Sequence, residues 1–237
     1  MSPLRVADVA TGTGVFLRLL NSEMPTSNYV GFDISPNLFP DPKDLPSNIK
    51  LQILDAKEPV PEHLRHKFDL VHVSLLAAGV DSSEWPLVVS NAVRLLKSGG
   101  WLQWTECNWA SARCLKGELG SRIDVSERWR KGFADALGER FSSSFSTLAE
   151  NMRSAGLGSV SIDVVSSDRV TETRERMTRN NMKAVMAWAA MMIERGSIGS
   201  VTLDEFAGEE SKVEEEIQTG CYVRYDVYTV IGRKPYN

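Results

Sequence analysis

Short apolar runs alternate with turn-rich or amphipathic segments over the first 106 residues of the chain. These runs predict five strands, at residues 6–9, 29–32, 49–54, 68–76 and 101–105. The spacing of apolar positions predicts a helix over 85–96, which the segment Lys97-Ser98-Gly99-Gly100 would end. Because strands that alternate with helices form right-handed βαβ units, this half of the chain predicts a parallel sheet.

The pattern changes in the second half, where long helical segments dominate. Helices are predicted over 125–137, 145–155 and 174–193, and strands over 159–166 and 221–231. Together the elements predict an α/β fold, with a doubly wound, mainly parallel sheet, an antiparallel last strand and a helical cap inserted before that strand. We expect a single domain over 1–237, made of a first half (1–109), a helical cap and edge-strand region (110–220) and a last strand (221–235).

Composition and charge are those of an ordinary globular protein. Of 237 residues, 42% are hydrophobic and 24% charged, and 27 basic against 31 acidic side chains give a net charge of −4. This balance argues against a nucleic-acid partner, which would require a clustered basic face. The sequence has no apolar run of the roughly 18 residues that span a membrane, and its first residues do not form a signal peptide, so we expect no membrane partner.

Cysteine usage indicates the cellular compartment. Cys107, Cys114 and Cys221 are odd in number and form no C-x-x-C pair, which argues against a disulfide framework and against a zinc site. No other metal-ligand constellation is evident in the sequence. We therefore expect a cytoplasmic protein that holds no metal.

The segment Val6-Ala-Asp-Val-Ala-Thr-Gly-Thr-Gly14 is the first candidate ligand site. A strand ending in Asp8 is followed by a tight turn with Gly12 and Gly14 and then by a helix, which is a nucleotide-binding arrangement. The dinucleotide motif G-x-G-x-x-G fails because Leu17 occupies its third glycine position, and a P-loop fails because no lysine follows the turn. The turn alone is a weak signal.

Acidic residues at the ends of the next two strands strengthen this signal. Asp33 ends the second strand in GFDIS, about twenty residues beyond the turn, where a carboxylate can accept hydrogen bonds from two ribose hydroxyls. Asp55 ends the third strand in LQILDA, where a carboxylate can accept from an adenine amino group. This ordered set of acidic strand ends is far more specific than the glycines alone.

With these residues the sequence resembles the class I S-adenosylmethionine-dependent methyltransferases, and among them the small-molecule methyltransferases of fungal secondary-metabolite clusters. The resemblance is carried by RVADVATGTG, GFDIS, LPSNIKLQILDA, FDLVHVSLL and RLLKSGGWLQWTE, and it covers residues 4–109 well. It implies a Rossmann-like class I methyltransferase fold, S-adenosylmethionine as the cofactor, and a cofactor-binding role for residues 1–109.

The resemblance also implies which side chains surround the cofactor. The implied set is Asp8, Ala10, Gly12, Gly14, Asp33, Ile34, Asp55, Ala56 and Ser74. Within it, Asp8, Gly12 and Gly14 would surround the methionine end of the cofactor. Asp33 would hold the ribose, and Asp55 with Ala56 would hold the adenine. Ser74 would lie at a strand end beside the sulfonium.

Three features depart from the family's pattern. Ala10 stands where relatives have the first glycine of the turn, which is harmless at negative φ but costs about 1 kcal/mol at positive φ. Ser74 stands where relatives usually place an arginine. The chain also starts almost at its first strand, whereas relatives carry several dozen largely helical residues ahead of it, so we expect a more open site or one closed by the C-terminal helices or a partner.

Methyl transfer is an in-line displacement at a sulfonium carbon, and it needs a general base only if the nucleophile holds its proton. Glu106 ends the fifth strand and is the best candidate for a base or a substrate-orienting group, although a carboxylate that holds a neighbouring loop is an equal alternative. His72 lies inside the fourth strand, where a hydrogen-bonded structural role is favoured over that of a base.

Hydrophobic residues of the second half are candidates for a substrate pocket. Met186 and Trp188 could line an adaptable pocket for a flat or greasy substrate, and Trp109 is the tryptophan best placed to touch that substrate. A plain core stripe explains the methionines and Trp188 as well, and is the favoured alternative.

The leading function is therefore transfer of a methyl group from S-adenosylmethionine to an oxygen or nitrogen of a small-molecule secondary metabolite. One alternative is a cyclase or pericyclase that keeps the cofactor pocket but transfers no methyl group. Another is a non-catalytic partner subunit of a longer methyltransferase. The sequence leaves the substrate open, together with the choice between a monomer and a homo- or heterodimer.

Overall fold

The structure is a computed structural model that describes residues 2–197 and 203–236, with only the backbone described at 141–145 and 203. Its strands are β1 (Arg5–Val9), β2 (Asn28–Asp33), β3 (Ile49–Ile53), β4 (Phe68–Ser74), β5 (Leu96–Cys107), β6 (Arg113–Lys116), β7 (Gly158–Ser166), β8 (Cys221–Arg224) and β9 (Asp226–Arg233). Its helices are α1 (Val15–Glu23), α2 (Trp85–Leu95), α3 (Asp124–Ala136), α4 (Gly138–Ser154), α5 (Arg174–Glu194) and α6 (Leu203–Gln218).

Seven strands form one sheet in the order β3-β2-β1-β4-β5-β9-β7, and β6 pairs with β8 in a separate two-stranded sheet. The pairs β1–β2, β2–β3, β1–β4 and β4–β5 are parallel. The chain builds outward from β1 to β3 and then crosses back to β4, which is the doubly wound arrangement. The predicted α/β fold with a mainly parallel sheet is confirmed.

β9 runs antiparallel to its neighbour β5. Just beyond β9, the backbone of Lys234 exchanges hydrogen bonds with Gly99 and Gly100, at 3.0 and 2.8 Å, while the hydroxyl oxygens of Thr229 and Thr105 lie 3.1 Å apart. Residue numbers therefore rise along one strand as they fall along the other, which defines an antiparallel pair. The predicted antiparallel last strand is confirmed, and it lies between β5 and the edge strand β7.

The central strands are buried on both faces, which explains why they read as continuous apolar runs. Val6, Leu17, Tyr29 and Ile49 form one buried cluster that packs α1 against the first three strands. The Tyr29 hydroxyl also donates a 2.7 Å hydrogen bond to the carbonyl of Met24, just beyond α1. These contacts fix the position of α1 and hence of the glycine turn that precedes it.

The last strand differs from its prediction. The hydrophobic pattern predicts one strand over 221–231, whereas the structure divides it at Tyr225 into β8 and β9. The backbone N–H of Tyr225 donates to the Ser167 hydroxyl at 3.1 Å, and its carbonyl accepts from the Ser167 N–H at 2.9 Å. The chain leaves one sheet and enters the other at this point, and alternation of side chains along the sequence does not reveal such a change of partner.

Other elements also differ from the pattern-based prediction. Helix α6 is not among the predicted helices, although its buried residues Phe206, Val213 and Ile217 recur at helical spacing. The short strand β6 is not predicted at all, since four residues carry too little periodicity. The segment at 97–100 ends α2 as expected but also belongs to β5, because α2 passes directly into that strand.

Backbone contacts divide the chain into two compact units. The first unit contains residues 2–106, 143–163 and 228–236, and the second contains 107–142 and the described part of 164–227. Both are discontinuous in sequence, so they do not coincide with the predicted segments 1–109, 110–220 and 221–235. The first unit contains most of the seven-stranded sheet, and the second contains α3, α5, α6 and the β6–β8 pair.

Gly31 marks the closest approach between β2 and the turn that follows β1. A Cβ built on Gly31 would lie 2.5 Å from a methyl carbon of Leu51 and 2.7 Å from the hydroxyl oxygen of Thr11. Both neighbours are side chains held by the sheet and the turn, so the position requires glycine for space.

Gly31→Ala should therefore lower the free energy of unfolding by about 1–3 kcal/mol through overpacking. Gly158→Ala, at an exposed strand position where the added Cβ meets no atom closer than 3.9 Å, is the matched control and should be neutral or slightly stabilising. Urea unfolding of the two variants measures the difference. Equal stability of both variants would contradict the close approach at Gly31.

Candidate functional site

The carboxyl ends of β1, β2, β3 and β4 lie at one edge of the sheet because these strands are parallel. Open α/β sheets bind ligands at this edge, where the strand order reverses between β1 and β4. The nine predicted cofactor-binding residues all lie in the first unit, at or just after these strand ends.

The turn between β1 and α1 is built from left-handed residues at alternate positions. Ala10, Gly12 and Gly14 have φ values of 59°, 53° and 69°. The turn is held by hydrogen bonds from the Thr11 N–H to the Phe32 carbonyl and from the Gly14 N–H to the Thr11 carbonyl, both 2.9 Å long. Such a turn, followed by a helix N-terminus, presents backbone N–H groups to an anionic ligand.

Ala10 thus has the positive φ at which its Cβ is strained. The left-handed conformation costs an L-residue about 1–2 kcal/mol, and only glycine adopts it freely. Strain of this kind is retained where the surrounding structure imposes it, often at functional sites.

Asp8 lies beneath this turn with both carboxylate oxygens engaged. It is only 3% exposed; its Oδ2 accepts a 2.6 Å hydrogen bond from the Thr11 hydroxyl, and its Oδ1 lies 2.7 Å from His72 Nδ1. The His72 ring also stacks on Phe16 at 3.6 Å between centroids. These contacts give both Asp8 and His72 a structural role, as the sequence favours for His72, while contact of Asp8 with a cofactor stays a prediction.

Asp33 connects the end of β2 to the glycine turn. Its Oδ2 accepts a 2.8 Å hydrogen bond from the Gly12 N–H, and its Oδ1 accepts one of 3.2 Å from the Ser35 N–H. A carboxylate has about four acceptor positions, so two backbone donors leave room for about two more. Asp33 can therefore position the turn and still accept hydrogen bonds from a ligand diol.

Asp55 and Ala56 lie on a loop that is held by hydrogen bonds within the loop and from helix α2. The Asp55 Oδ1 accepts a 2.9 Å hydrogen bond from the Lys57 N–H. The buried Asn91 side chain donates to the carbonyls of Ala56 and Glu58, at 3.0 and 2.9 Å. Asn91 thus orders the loop that presents Asp55 at the edge of the sheet.

Apolar side chains border the carboxylates and remain largely in solvent. Val15, Ile34, Leu38 and Leu75 are each more than half exposed. Leu75 directly follows Ser74 and adopts a left-handed φ of 57°, a second strained non-glycine residue at this edge. Hydrogen-bonding carboxylates beside exposed apolar surface suit a ligand that has hydroxyl groups and a flat ring.

Glu106 is almost completely buried, with 1% of its surface exposed. Its Oε1 accepts hydrogen bonds from the Leu76 N–H at 2.9 Å and the Trp104 indole at 2.8 Å, and its Oε2 accepts one of 3.4 Å from the Ala77 N–H. Burial raises the pKa of Glu106 to about 7, although these donors oppose the rise. Of the two roles expected for this carboxylate, its contacts support the one that holds the loop after β4.

The predicted substrate-pocket residues lie in the second unit. Trp109 stacks on Tyr225 with centroids 5.4 Å apart and meets Phe133 edge-on at 5.6 Å, and Phe133 in turn meets Trp188 at 5.3 Å. Trp109 and Trp188 therefore belong to one aromatic cluster. Met186 is only 4% exposed and is a core residue of this unit, and contact of the three with a substrate stays a prediction.

Two residues that organise the site are missed by sequence reasoning. Thr11 directly precedes Gly12 and looks like an ordinary turn residue in the sequence, although its hydroxyl donates a hydrogen bond to Asp8. Asn91 carries a clearer signal, because it is a polar residue on the apolar face of a predicted helix, where a buried amide must have hydrogen-bond partners.

Within the described residues, no helix is long and apolar enough to cross a membrane. The same part of the chain contains no group of three or more His, Cys, Asp or Glu side chains that could hold a metal ion. Cys107, Cys114 and Cys221 are all buried, and none of them forms a disulfide within the described residues.

Sequence comparison finds relatives for the first part of the chain. Residues 6–100 match a family described as a methyltransferase domain. Methyltransferase grgD of a Penicillium species is 39% identical over 111 residues, which cover 44% of this chain and 38% of that protein. N-methyltransferase gliN of Aspergillus fumigatus is 35% identical over 135 residues, which cover 56% of this chain and 46% of that protein. The matches therefore span less than half the length of either relative, and over this part the resemblance to fungal methyltransferases is confirmed.

Structural comparison extends the likeness to the whole fold. A phosphoethanolamine N-methyltransferase of Haemonchus contortus, solved with S-adenosyl-L-methionine, superposes with a TM-score of 0.55 at 16% identity. The match covers 98% of this chain and 49% of that chain. The predicted class I methyltransferase fold is confirmed.

Ala10→Gly should leave the free energy of unfolding unchanged or raise it by up to about 1 kcal/mol, because relief of left-handed strain offsets the larger entropy of unfolded glycine. Ala184→Gly, at an exposed position inside α5, is the matched control and should lower it by about 1 kcal/mol. Urea unfolding compares the two variants. Equal losses would contradict a left-handed Ala10.

Glu106→Gln should change how stability depends on pH. Because the pKa of Glu106 is raised from 4.5 to about 7, protonated Glu106 stabilises the fold fully below pH 4.5, and that contribution is lost as the pH rises through 7. Glutamine stays neutral, so the free energy of unfolding of the variant should rise relative to that of the wild type over this range, by on the order of 3 kcal/mol.

Urea unfolding at a series of pH values measures this gain. Glu23→Gln, at an exposed position in α1, is the control and should show no comparable divergence from the wild type. Parallel pH profiles of Glu106→Gln and the wild type would contradict a raised pKa at Glu106.

Proposed function

We propose that this chain, whose residues 6–100 match a methyltransferase domain, binds S-adenosylmethionine at the carboxyl edge of its sheet and transfers the methyl group to an oxygen or nitrogen of a small molecule. The hydrogen bond from the Gly12 N–H to Asp33 is the observation that carries this proposal. It joins the turn suited to an anionic group and the carboxylate suited to a ribose in one rigid arrangement.

The residues at this edge fit the parts of the cofactor in order. The helix N-terminus that follows the glycine turn suits its carboxylate, the remaining acceptor positions of Asp33 suit two ribose hydroxyls, and Asp55 suits the adenine amino group. The exposed side chains of Ile34 and Leu38 supply apolar surface for a flat base. The matching order of strand ends and ligand parts supports the assignment.

When bound, S-adenosylmethionine supplies a methyl group that passes from its sulfonium to the acceptor and leaves S-adenosylhomocysteine. The contribution of the chain is to align the acceptor with the methyl group and to exclude water, which can supply several kcal/mol. Glu106 fixes the loop at Leu76 and Ala77, directly after the strand end at Ser74, and so acts as a positioning residue. A neutral amine acceptor would need no general base, whereas an alcohol would.

We also propose a small-molecule acceptor, no nucleic-acid partner and a cytoplasmic location. A small-molecule acceptor is consistent with the fungal relatives, one of which is described as an N-methyltransferase. The net charge of −4 supports the absence of a nucleic-acid partner, and the three free thiols support a cytoplasmic location.

Asp33→Ala should weaken S-adenosylmethionine binding by about 30- to 150-fold, because two hydrogen bonds from ribose to a charged group are worth roughly 2–3 kcal/mol. Asp44→Ala, at an exposed position beyond β2, is the control and should bind as the wild type does. Titration calorimetry measures both affinities, and thermal unfolding shows whether each variant is folded. Unchanged affinity in a folded Asp33→Ala variant would contradict the role of Asp33.

Detection of S-adenosylhomocysteine tests methyl transfer itself. Candidate amines and alcohols incubated with the chain and S-adenosylmethionine should yield S-adenosylhomocysteine in step with methylated product. Isomerised substrate without S-adenosylhomocysteine would instead indicate a cyclase. Absence of cofactor binding together with a stable complex with a longer methyltransferase would indicate a partner subunit.

A further inference from the structure

The second unit contains a large groove between three of its helices. The groove has a volume of about 910 Å³. Lining residues come from α3, α5 and α6, and those used below are Arg128, Trp129, Gly132, Trp188, Glu209 and Lys212. This volume lies in the range of pockets that hold small organic ligands.

The walls of the groove are apolar and aromatic. Trp129 and Trp188 contribute indole rings, and Met192 contributes a polarisable thioether that suits contact with a ring. Gly132 and Ala136 lie one helical turn apart on α3, so small side chains leave the groove open between the rings. A Cβ built on Gly132 meets no atom of the described residues within 4 Å.

Three of the four charged residues at the rim form one paired group. Glu209 accepts hydrogen bonds from the Arg128 guanidinium, from Lys212 at 3.0 Å and from the Trp129 indole at 3.3 Å. Glu205 adds a second carboxylate, so the two acidic and two basic groups of the rim cancel in net charge. A charged ligand gains no net attraction from this balanced rim and loses hydration against the apolar walls, whereas a neutral ligand loses less hydration.

We propose that this groove is a binding site for a neutral, planar aromatic small molecule. The two indoles and Met192 contact the faces and edge of its rings, and the space beside Gly132 admits the rings against α3. The balanced rim gives no net attraction to aromatic anions or cations, so the apolar walls favour the neutral ligand. The site lies wholly within the second unit and does not depend on the proposed methyl transfer.

Titration of the full chain with three naphthalene probes tests the ligand chemistry in the absence of any cofactor. Neutral 2-naphthol should bind with a dissociation constant on the order of 0.1 mM, as expected for a ligand of its size. The anion naphthalene-2-sulfonate and the cation 2-naphthylmethylammonium should bind at least about tenfold more weakly. Failure of 2-naphthol to bind, or equal binding of the three probes, would overturn the proposal.

Substitutions that fill the groove test the location. Gly132→Leu and Ala136→Leu should each weaken 2-naphthol binding by at least about tenfold, because their side chains occupy the space of the rings. Ala207→Leu, at an exposed helical position outside the groove, is the matched control and should bind within about twofold of the wild type.

Thermal unfolding of these variants separates blocking from misfolding. Gly132→Leu should raise the melting temperature, since it replaces a helical glycine at a position with free space. Wild-type affinity in both groove variants would overturn the proposed location. Because no cofactor is present, these results are independent of whether the first unit binds S-adenosylmethionine.

Discussion

A buried carboxylate, that of Asp8, connects the glycine turn after β1 to the centre of the sheet. Removing a charged group from water is costly unless hydrogen bonds compensate, and Asp8 finds its partners in His72 on the neighbouring strand and Thr11 in the turn. Phe16 covers the histidine ring from α1. A strand, a turn and a helix are thereby fixed relative to one another at a single residue. The Gly12 N–H, in the same turn, donates to Asp33 at the end of β2.

Backbone strain occurs at the same carboxyl edge of the sheet. Ala10 and Leu75 have left-handed backbones without being glycines, and each immediately follows a strand that contains one partner of the Asp8–His72 contact. Conformations of this kind persist only when the surrounding contacts impose them, and they recur at ligand sites. Glu106 performs a similar task one strand further along, where a buried carboxylate orders the loop after β4. Polar groups buried beneath the edge thus determine the geometry of the groups exposed on it.

The second unit is organised on a different principle. Its centre is the aromatic cluster of Trp109, Phe133, Trp188 and Tyr225, and its surface charges are neutralised locally by pairs such as Glu209 with Arg128. The first unit holds the groups at its carboxyl edge by specific hydrogen bonds, whereas the groove proposed as a ligand site in the second unit is lined by the indole rings of Trp129 and Trp188.

The sequence by itself determined the parallel sheet, the glycine turn and the acidic strand ends, because buried strands, positive-φ turns and strand-end carboxylates each leave a local pattern. It also located Asp33, Asp55 and Glu106 at the ligand edge. Only the tertiary structure decided that Glu106 faces the N–H groups of Leu76 and Ala77, and that Asn91 supports the loop at Ala56, since these partners are distant in sequence. The tertiary structure also decided where the last strand divides, at Tyr225, and how much space lies beside Gly132. Both depend on which elements pack together, and a one-dimensional pattern of polarity does not contain that information.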